Sequence, residues 1–467
     1  MIELDFKTLS DTVDGRLLDK RHGTRLFQGV SIDTRTIKPS RLFVAIVGEN
    51  DDGHEYLQAA LKRRAAGLLV SRRNDELASL ADRLPVVVVE DTHQAMLRLA
   101  LWYRQRLTAR FIAITGSNGK TTTKEIVAAM IACRHRNTYR SPGNLNNLYG
   151  LPLSIFGMPA DSAYGVFELG ISFPGEMLRL AEIIRPHLVL LTNVGPTHLE
   201  TLRNLENVAE AKFELVDTCP KHVPVILNGD DSHLVAAARK RQRRVITYGV
   251  TNPCDFTARR AGVSKDGFPV IEIEGKKIAP PIFGEHQIYN LLAGYTVGRV
   301  LGLDLQPGEI NRIDFRFAPN RGEIIRFDDL TIISDCYNAN PASMKSGLHS
   351  FKQYLAAFPP EGKSVAIIGD MKELGQNSRE YHEEIGRLLA TLGLDFVAAV
   401  GDQARFIYDS AVQNGFHKDR IRHFSGADEA AGALPEYVTR GDIIFLKASR
   451  AIGLEKIIDK TRAMTTG

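Results

Sequence analysis

Apolar residues along this chain gather into short, near-continuous runs, and the polar positions cluster between them. Runs of that kind, bounded by turn residues and separated by amphipathic stretches, predict buried parallel strands joined by helices, an α/β architecture. The pattern shifts twice, dividing the chain into units of domain size over residues 1–90, 91–318 and 319–467.

The first unit reads as a small α/β module with strands over Gly29–Arg35, Arg41–Val47, Gly67–Val70 and Leu84–Val89 and a helix over His54–Ala66. In the second, a helix over Thr92–Arg106 leads into an apolar run from Phe111. Further strands are predicted at Tyr164–Glu168, His187–Asn193, Pro224–Asn228 and Arg244–Tyr248, with helices at Gly175–Ile184, Asn204–Thr218 and Ser232–Arg241. Phe256–Ile282 changes character: turn residues around Gly267 and Gly275 predict an antiparallel meander. A helix over Gln287–Leu301 then closes the unit, and Gln306–Arg321 reads as a linker. Strands at Leu330–Asp335, Ser364–Asp370, Phe396–Gly401 and Ile443–Lys447, each followed by a helix, predict a second doubly wound unit.

One junction carries chemistry. The run Phe111–Thr115 passes into Gly116, Ser117, Asn118 and Gly119, then Lys120 and Thr121, and then turns helical. Glycines let successive N–H groups converge on an anion at a helix N-terminus. Lys120 adds a point charge for β/γ-phosphates, and Thr121 a hydroxyl for Mg²⁺. The spacing is a compact Gly-x-x-Gly-Lys-Thr, because Ile114 stands where the commonest phosphate loop has its first glycine. The competing reading is a plain glycine turn with a solvated lysine, and the ordered succession of strand, turn, lysine, hydroxyl and helix weighs against it.

Composition narrows the class. With 467 residues, 44% hydrophobic and 24% charged, the chain is globular and without low-complexity tracts. A net charge of +4 is mild, so Lys62–Arg64 and Arg239–Arg241 read as solvated helix faces and nucleic acid is not an expected partner. The first residues lack the basic flank and apolar core of a signal peptide, and no run reaches membrane-span length; a cytoplasmic protein is expected. Cys133, Cys219, Cys254 and Cys336 lack metal-ligand spacing and read as reduced thiols.

Glu168 ends a strand at the sheet edge shared with the phosphate loop, where Mg²⁺ would sit, and His198 follows another strand end. Singly, each admits a structural role, as an arginine's partner or a solvated imidazole; together they form a metal shell. Lys212 reads, from spacing alone, as a solvated helix lysine. Asn144, Asn146 and Asn147 in the turn Ser141–Asn147 offer amides to a polar ligand, or make an ordinary loop. The turn Gly48–His54 and the edge Asp33, Thr34 and Arg35 form polar sites of the first unit, or merely turn residues and a surface arginine. In the third unit, Asp335–Pro341, Gly369–Gly375 and Lys447–Gly453 are unusually polar for strand ends. Arg321 or Lys447 facing the phosphate loop would neutralise charge developing in phosphoryl transfer. The residues alone lead to an ATP-using, Mg²⁺-dependent enzyme with its site between domains.

Taken in order, Thr115–Thr121, Phe167–Gly170, Asn193–His198 and Gly284–Asn290 resemble the Mur ligases, the ATP-dependent amide-forming enzymes of peptidoglycan precursor synthesis. The resemblance spans nearly the whole chain. Gly143–Asn147, Tyr337–Pro341, Gly369–Gly375 and Lys447–Arg450 are similar to the member that adds D-alanyl-D-alanine to UDP-N-acetylmuramoyl-tripeptide, so these two molecules are the implied partners. The implied fold is a three-domain Mur ligase: an N-terminal UDP-substrate-binding domain (1–90), a central P-loop ATPase domain (91–318) and a C-terminal Rossmann-like domain (319–467) that closes over ATP. A monomer is expected.

The resemblance also implies roles. Thr115 through Thr121 would cradle ATP, with Lys120 on the β/γ-phosphates; Thr121 and Glu168 would hold one Mg²⁺, with His198 near a second. Lys212, carbamylated, would help bind that second ion. Asn290 would lie along the adenine, Asp335 would bond the ribose, and Arg321 and Lys447 would face the phosphates. Thr34 and Arg35 match the family's uridine-diphosphate loop, and Asn144, Asn146, Asn147, Tyr337 and Asn338 would contact the peptide substrates. Three positions depart from the family pattern: Ala448 where glycine is usual, Ser334 where an acid is common, and Phe213 where a small residue is expected. Other amide ligases of the family, tripeptide-forming or similar to folylpolyglutamate synthetase, and a nucleotide-dependent regulator are the competing functions.

Overall fold

A computed structural model describes residues 1–48, 51–71, 75–327 and 329–465; Glu49 and Asn50 of the Gly48–His54 turn lie outside the described residues. Three sheets organise it. The central sheet has seven strands, all parallel, in the order Phe256–Thr257, Ile246–Gly249, Val225–Asn228, Leu188–Leu191, Arg110–Thr115, Tyr164–Glu168 and Thr138–Arg140. Strand order reverses at Arg110–Thr115, and in such sheets the crevice at the carboxyl ends beside the reversal is where ligands sit.

That strand is apolar on both faces because both are covered. Phe111 and Ala113 pack into one core with Ala95, Met96 and Leu99 of helix Thr92–Arg104. Ile112 and Ile114 pack into another with helices Lys120–Ala132 and Gln287–Val300. The first core also takes in Ile2, Phe6 and Phe27, so the N-terminal unit is joined to the central one by continuous apolar packing. Its five-stranded sheet runs Arg16–Leu17, Val86–Val88, Gly67–Val70, Leu42–Val44 and Val30–Ser31. The C-terminal sheet has six strands, ordered Glu323–Arg326, Thr331–Ser334, Ile443–Lys447, Ser364–Gly369, Phe396–Val400 and Ile421–Phe424, antiparallel only at the first pair.

Expectation and structure part at the edges. Phe256–Thr257 joins the parallel sheet, and only Arg259–Val263, Pro269–Ile273 and Lys276–Ile278 form the meander. The edge strands Thr138–Arg140, Glu323–Arg326 and Ile421–Phe424 escape the sequence because strands half-open to solvent carry mixed polar residues. Gln306–Arg321 is no free linker: Pro307–Arg312 is a 3₁₀ turn, and the Asn311 side-chain amide donates to the Lys277 carbonyl at 2.9 Å. The helix over His54–Ala66 is shorter, a 3₁₀ turn at Gly53–Tyr56 followed by Leu57–Lys62. Arg241 is not simply solvated; it bonds Glu210 and Asp217, each at 2.7 Å, with its guanidinium over Phe213. Phe213 itself is fully buried in the central core, which explains a large side chain there.

The C-terminal unit lies against the central one. Phe283 packs with Tyr354 and Phe445, the Glu285 N–H donates to Ser350 Oγ at 3.0 Å, and Arg326 donates to the Asp266 carbonyl at 2.8 Å. Among the described residues no helix is long and apolar enough to cross a membrane.

Candidate active site

Strand Arg110–Thr115 ends in the glycine loop and helix Lys120–Ala132 begins at Gly119, which holds φ +79°. A Cβ at Gly119 would run into the Asn290 side chain, and one at Gly116 into the Thr192 hydroxyl, so the loop closes only with glycine at both positions. No side chain caps this helix, which leaves its first-turn N–H groups to an anion. The loop is held from the neighbouring strand end: the Asn118 N–H donates to Asn193 Oδ1 at 2.8 Å, and the Thr192 hydroxyl donates to the Asn118 carbonyl at 2.6 Å. Lys120 Nζ lies 2.8 Å from the Gly116 carbonyl, and burial lowers its pKa.

A cavity of about 600 Å³ opens above the loop, lined from both the central and the C-terminal units. Glu168 lies at its floor, 2% exposed, accepting from Thr121 Oγ1 and from Asn146 Nδ2, each at 2.7 Å. Among the described residues it has no cationic partner. The charge of Lys120 is felt there without an ion pair, and a buried carboxylate bonded only by neutral donors, beside a threonine hydroxyl, suits a hard divalent cation such as Mg²⁺. No group of three or more His, Cys, Asp or Glu among the described residues could hold a metal alone. Magnesium commonly binds through one or two carboxylates plus substrate phosphates, so such a cage is not required.

Lys212 departs most from the spacing-based reading: it is 4% exposed, not solvated, and lines the cavity. Burial, and next the charge of Lys120, push its ammonium well below the usual value. Its Nζ makes no hydrogen bond or ion pair recorded among the described residues. His198, at φ +54°, reaches across the cleft to Glu373 of the C-terminal unit, Nδ1 to Oε2 at 2.9 Å.

Other site residues fall as follows. Asn290 is buried beneath the loop, its Nδ2 donating to Gln287 Oε1 at 2.6 Å and its Oδ1 accepting from Thr123. Arg321 stacks 3.8 Å over the Tyr337 ring, with Nε buried and without a hydrogen-bond partner among the described residues. Lys447 is 2% exposed and bonds Asp335 Oδ2 at 2.6 Å, so these two meet each other as well as the cavity. Asn338, Asn144 and Asn147 also line it. Ser117 Oγ accepts from the Gly195 N–H and the Thr197 hydroxyl, and Thr115 Oγ1 is buried without a hydrogen-bond partner among the described residues. Thr34 and Arg35 lie outside this cavity, where Arg35 forms an exposed ion pair with Asp33 at 2.9 Å.

Lys124 escaped sequence reasoning, and Asn340, within the Tyr337–Pro341 motif, has a contact that the sequence did not show. Lys124 is fully buried and donates to the Ser141 and Gly143 carbonyls at 2.7 and 2.8 Å, pinning the asparagine turn to the phosphate-loop helix. Its place four residues after Lys120 is the sole hint in the sequence. Asn340 caps helix Pro341–Ala357 and also donates to Asn118 Oδ1 at 2.5 Å across the cleft.

Parallel sheet, phosphate loop and a second α/β unit facing it define an ATP-dependent ligase architecture. Residues 114–298 match the Mur ligase middle domain and residues 320–450 the Mur ligase, glutamate ligase domain. The chain belongs to the Mur ligase family. It is 32% identical over 461 residues, 98% of each chain, to the UDP-N-acetylmuramoyl-tripeptide–D-alanyl-D-alanine ligase of Bacillus subtilis. To the enzyme of that name from Escherichia coli it is 31% identical, again over 98% of each chain. MurF from Acinetobacter baumannii shares the fold with a TM-score of 0.85 at 24% identity, covering 98% of both chains. MurF from Thermotoga maritima, solved in complex with ADP, superposes with a TM-score of 0.78 at 26% identity, covering 94% of this chain and 98% of that one.

Proposed function

We propose that this chain is the ligase that joins D-alanyl-D-alanine to UDP-N-acetylmuramoyl-tripeptide, converting ATP to ADP and phosphate. The observation that carries the reading is end-to-end identity above 30% to ligases of that name, together with a phosphate loop facing the Tyr337–Pro341 segment. The units 1–90, 91–318 and 319–467 would take the uridine nucleotide, ATP and the closing role respectively. The setting is cytoplasmic, and the chain acts as a monomer.

A carboxylate is a poor acyl donor, so the γ-phosphoryl group first moves to the terminal carboxylate oxygen of the tripeptide, giving an acyl phosphate and ADP. The amine of the dipeptide then attacks the carbonyl carbon. A C–N bond forms, the C–O bond to phosphate breaks, phosphate leaves with the electron pair, and the amine loses a proton. The difficulty is bringing anions together, and the chain answers with Lys120, the helix N-terminus behind it, and Arg321 from the facing unit. Thr121 and Glu168 would hold one Mg²⁺, with His198 and a carbamate on Lys212 near a second; when bound, these ions would neutralise phosphate charge. Thr34 and Arg35, remote from this cavity, would serve the uridine diphosphate. Asn144, Asn146 and Asn147 would meet the tripeptide, Tyr337 and Asn338 the dipeptide, and Asn290 and Asp335 the nucleoside of ATP.

Incubation with ATP, Mg²⁺, UDP-N-acetylmuramoyl-tripeptide and D-alanyl-D-alanine should yield the pentapeptide by mass, with none formed from D-alanine alone. Efficient addition of a free diamino acid to the dipeptide precursor would show instead a tripeptide-forming ligase.

A further inference from the structure

We propose that Glu373 is the carboxylate that receives the ammonium group of the incoming dipeptide, a role that rests on the ligase reading above. Six lysine and arginine side chains line the cavity; Lys447, Lys372 and Arg450 are paired with Asp335, Asp370 and Glu455, and burial disfavours charge on Lys212, so that among the described residues Lys120 and Arg321 are the lining cations without an ion pair. That field welcomes ATP and a carboxylate, but it repels the positively charged end of a zwitterionic acceptor. The acceptor therefore needs an anion within the same cavity.

Three carboxylates are present among the described lining residues, and two are engaged. Glu168 has both oxygens bonded, by Thr121 and Asn146, at the place suited to a metal. Asp335 is held by Lys447 at 2.6 Å. Among the described residues Glu373 pairs only with the His198 ring, through Oε2, and its side chain is 64% exposed at the cavity, open to an arriving group.

Its placement is constrained. Glu373 holds φ +64°, a left-handed conformation uncommon for a side-chain-bearing residue, opposite His198, which holds one too. Two residues on, Gly375 at φ +60° sits so close to Glu200 that a Cβ would lie 3.0 Å from its Cγ. The Gly369–Gly375 loop is thus seated on the central unit, carrying a carboxylate into the cavity above the phosphate loop, where Lys120 feels its charge. An ammonium paired there would lie between the two units, beside the place where the acyl phosphate forms.

Glu373→Gln keeps the shape and removes the charge. Losing a charge-assisted hydrogen bond should raise KM for D-alanyl-D-alanine roughly ten- to hundredfold, with KM for ATP and for the UDP-tripeptide changed less than about threefold. Glu373→Asp should fall between. Hydroxylamine, small and uncharged near neutral pH, intercepts acyl phosphates as hydroxamates and does not need the carboxylate. Hydroxamate formation without dipeptide should therefore stay near the wild-type rate in Glu373→Gln. An unchanged dipeptide KM overturns the proposal. So does a loss of hydroxamate or a raised Mg²⁺ requirement with dipeptide KM unmoved, since Glu373 would then only orient His198. If the wild-type protein itself forms neither hydroxamate nor pentapeptide, the ligase reading fails, and this role falls with it.

Discussion

Lys212 is buried with no hydrogen bond or ion pair among the described residues, and the charge of Asp231 only partly offsets its burial, so its ammonium is disposed to give up its proton. Its folded pKa is depressed, so from the depressed value up to about 10.4 the unfolded chain binds more protons than the folded one, and stability rises with pH. Lys212→Met removes that burden. In CO₂-free buffer the variant should be more stable than wild type at neutral pH, with the gap in urea midpoint closing toward about pH 10.4. A neutral amine is also what adds CO₂, losing a proton to become a carbamate. Lys212→Ala should be nearly inactive and regain part of its rate with added formate or acetate; no recovery at any concentration would remove the support for a carbamate.

At the scale of elements, one arginine ties three of them together. Arg104, near the end of helix Thr92–Arg104, lies 3.5 Å over the Phe111 ring at the start of the phosphate-loop strand. Its Nε and Nη2 donate at 2.7 and 2.9 Å to the Ile184 and Arg185 carbonyls, closing the C-terminus of helix Glu176–Ile184. Burial draws its pKa down to about 10. Arg104→Ala leaves those carbonyls without their donors and should cost about 2–4 kcal/mol in urea unfolding. Arg104→Lys should recover little, because an ammonium cannot reach both carbonyls from a planar fork. Nothing in the helix pattern of Thr92–Arg106 marks this residue, since periodicity reports the face a side chain occupies and not the partner it finds.

Over the whole molecule, the site exists only while the C-terminal unit lies against the central one. Part of that contact is remote from the chemistry: Gly267, at φ +89° in the meander, approaches the Tyr354 ring so closely that a Cβ would collide with it. Gly267→Ala combines backbone strain with that clash, a cost of about 1–3 kcal/mol carried by the interface. The expected outcome is faster limited proteolysis within residues 306–321 and a lower kcat, with ADP binding weakened as well, because Asp335 and Arg321 would reach the nucleotide from the C-terminal unit. Equal protease sensitivity in both proteins would count against a load on this contact.

The sequence by itself determined the class of each unit, the glycine loop between strand and helix, the strand-end position of Glu168 and the place of His198 on the loop after a strand. These rest on local physics: strands covered on both faces read as unbroken apolar runs, as at Tyr164–Glu168 and Ile443–Lys447, and a loop that needs glycine shows it. Tertiary structure alone decided that Lys212 is buried, that Lys124 pins the asparagine turn, that Lys447 meets Asp335, and that Glu373 faces His198. Each of those depends on which elements a sheet order or a domain contact brings together, and the free energy of a charged side chain is set by that surrounding rather than by its neighbours in the chain.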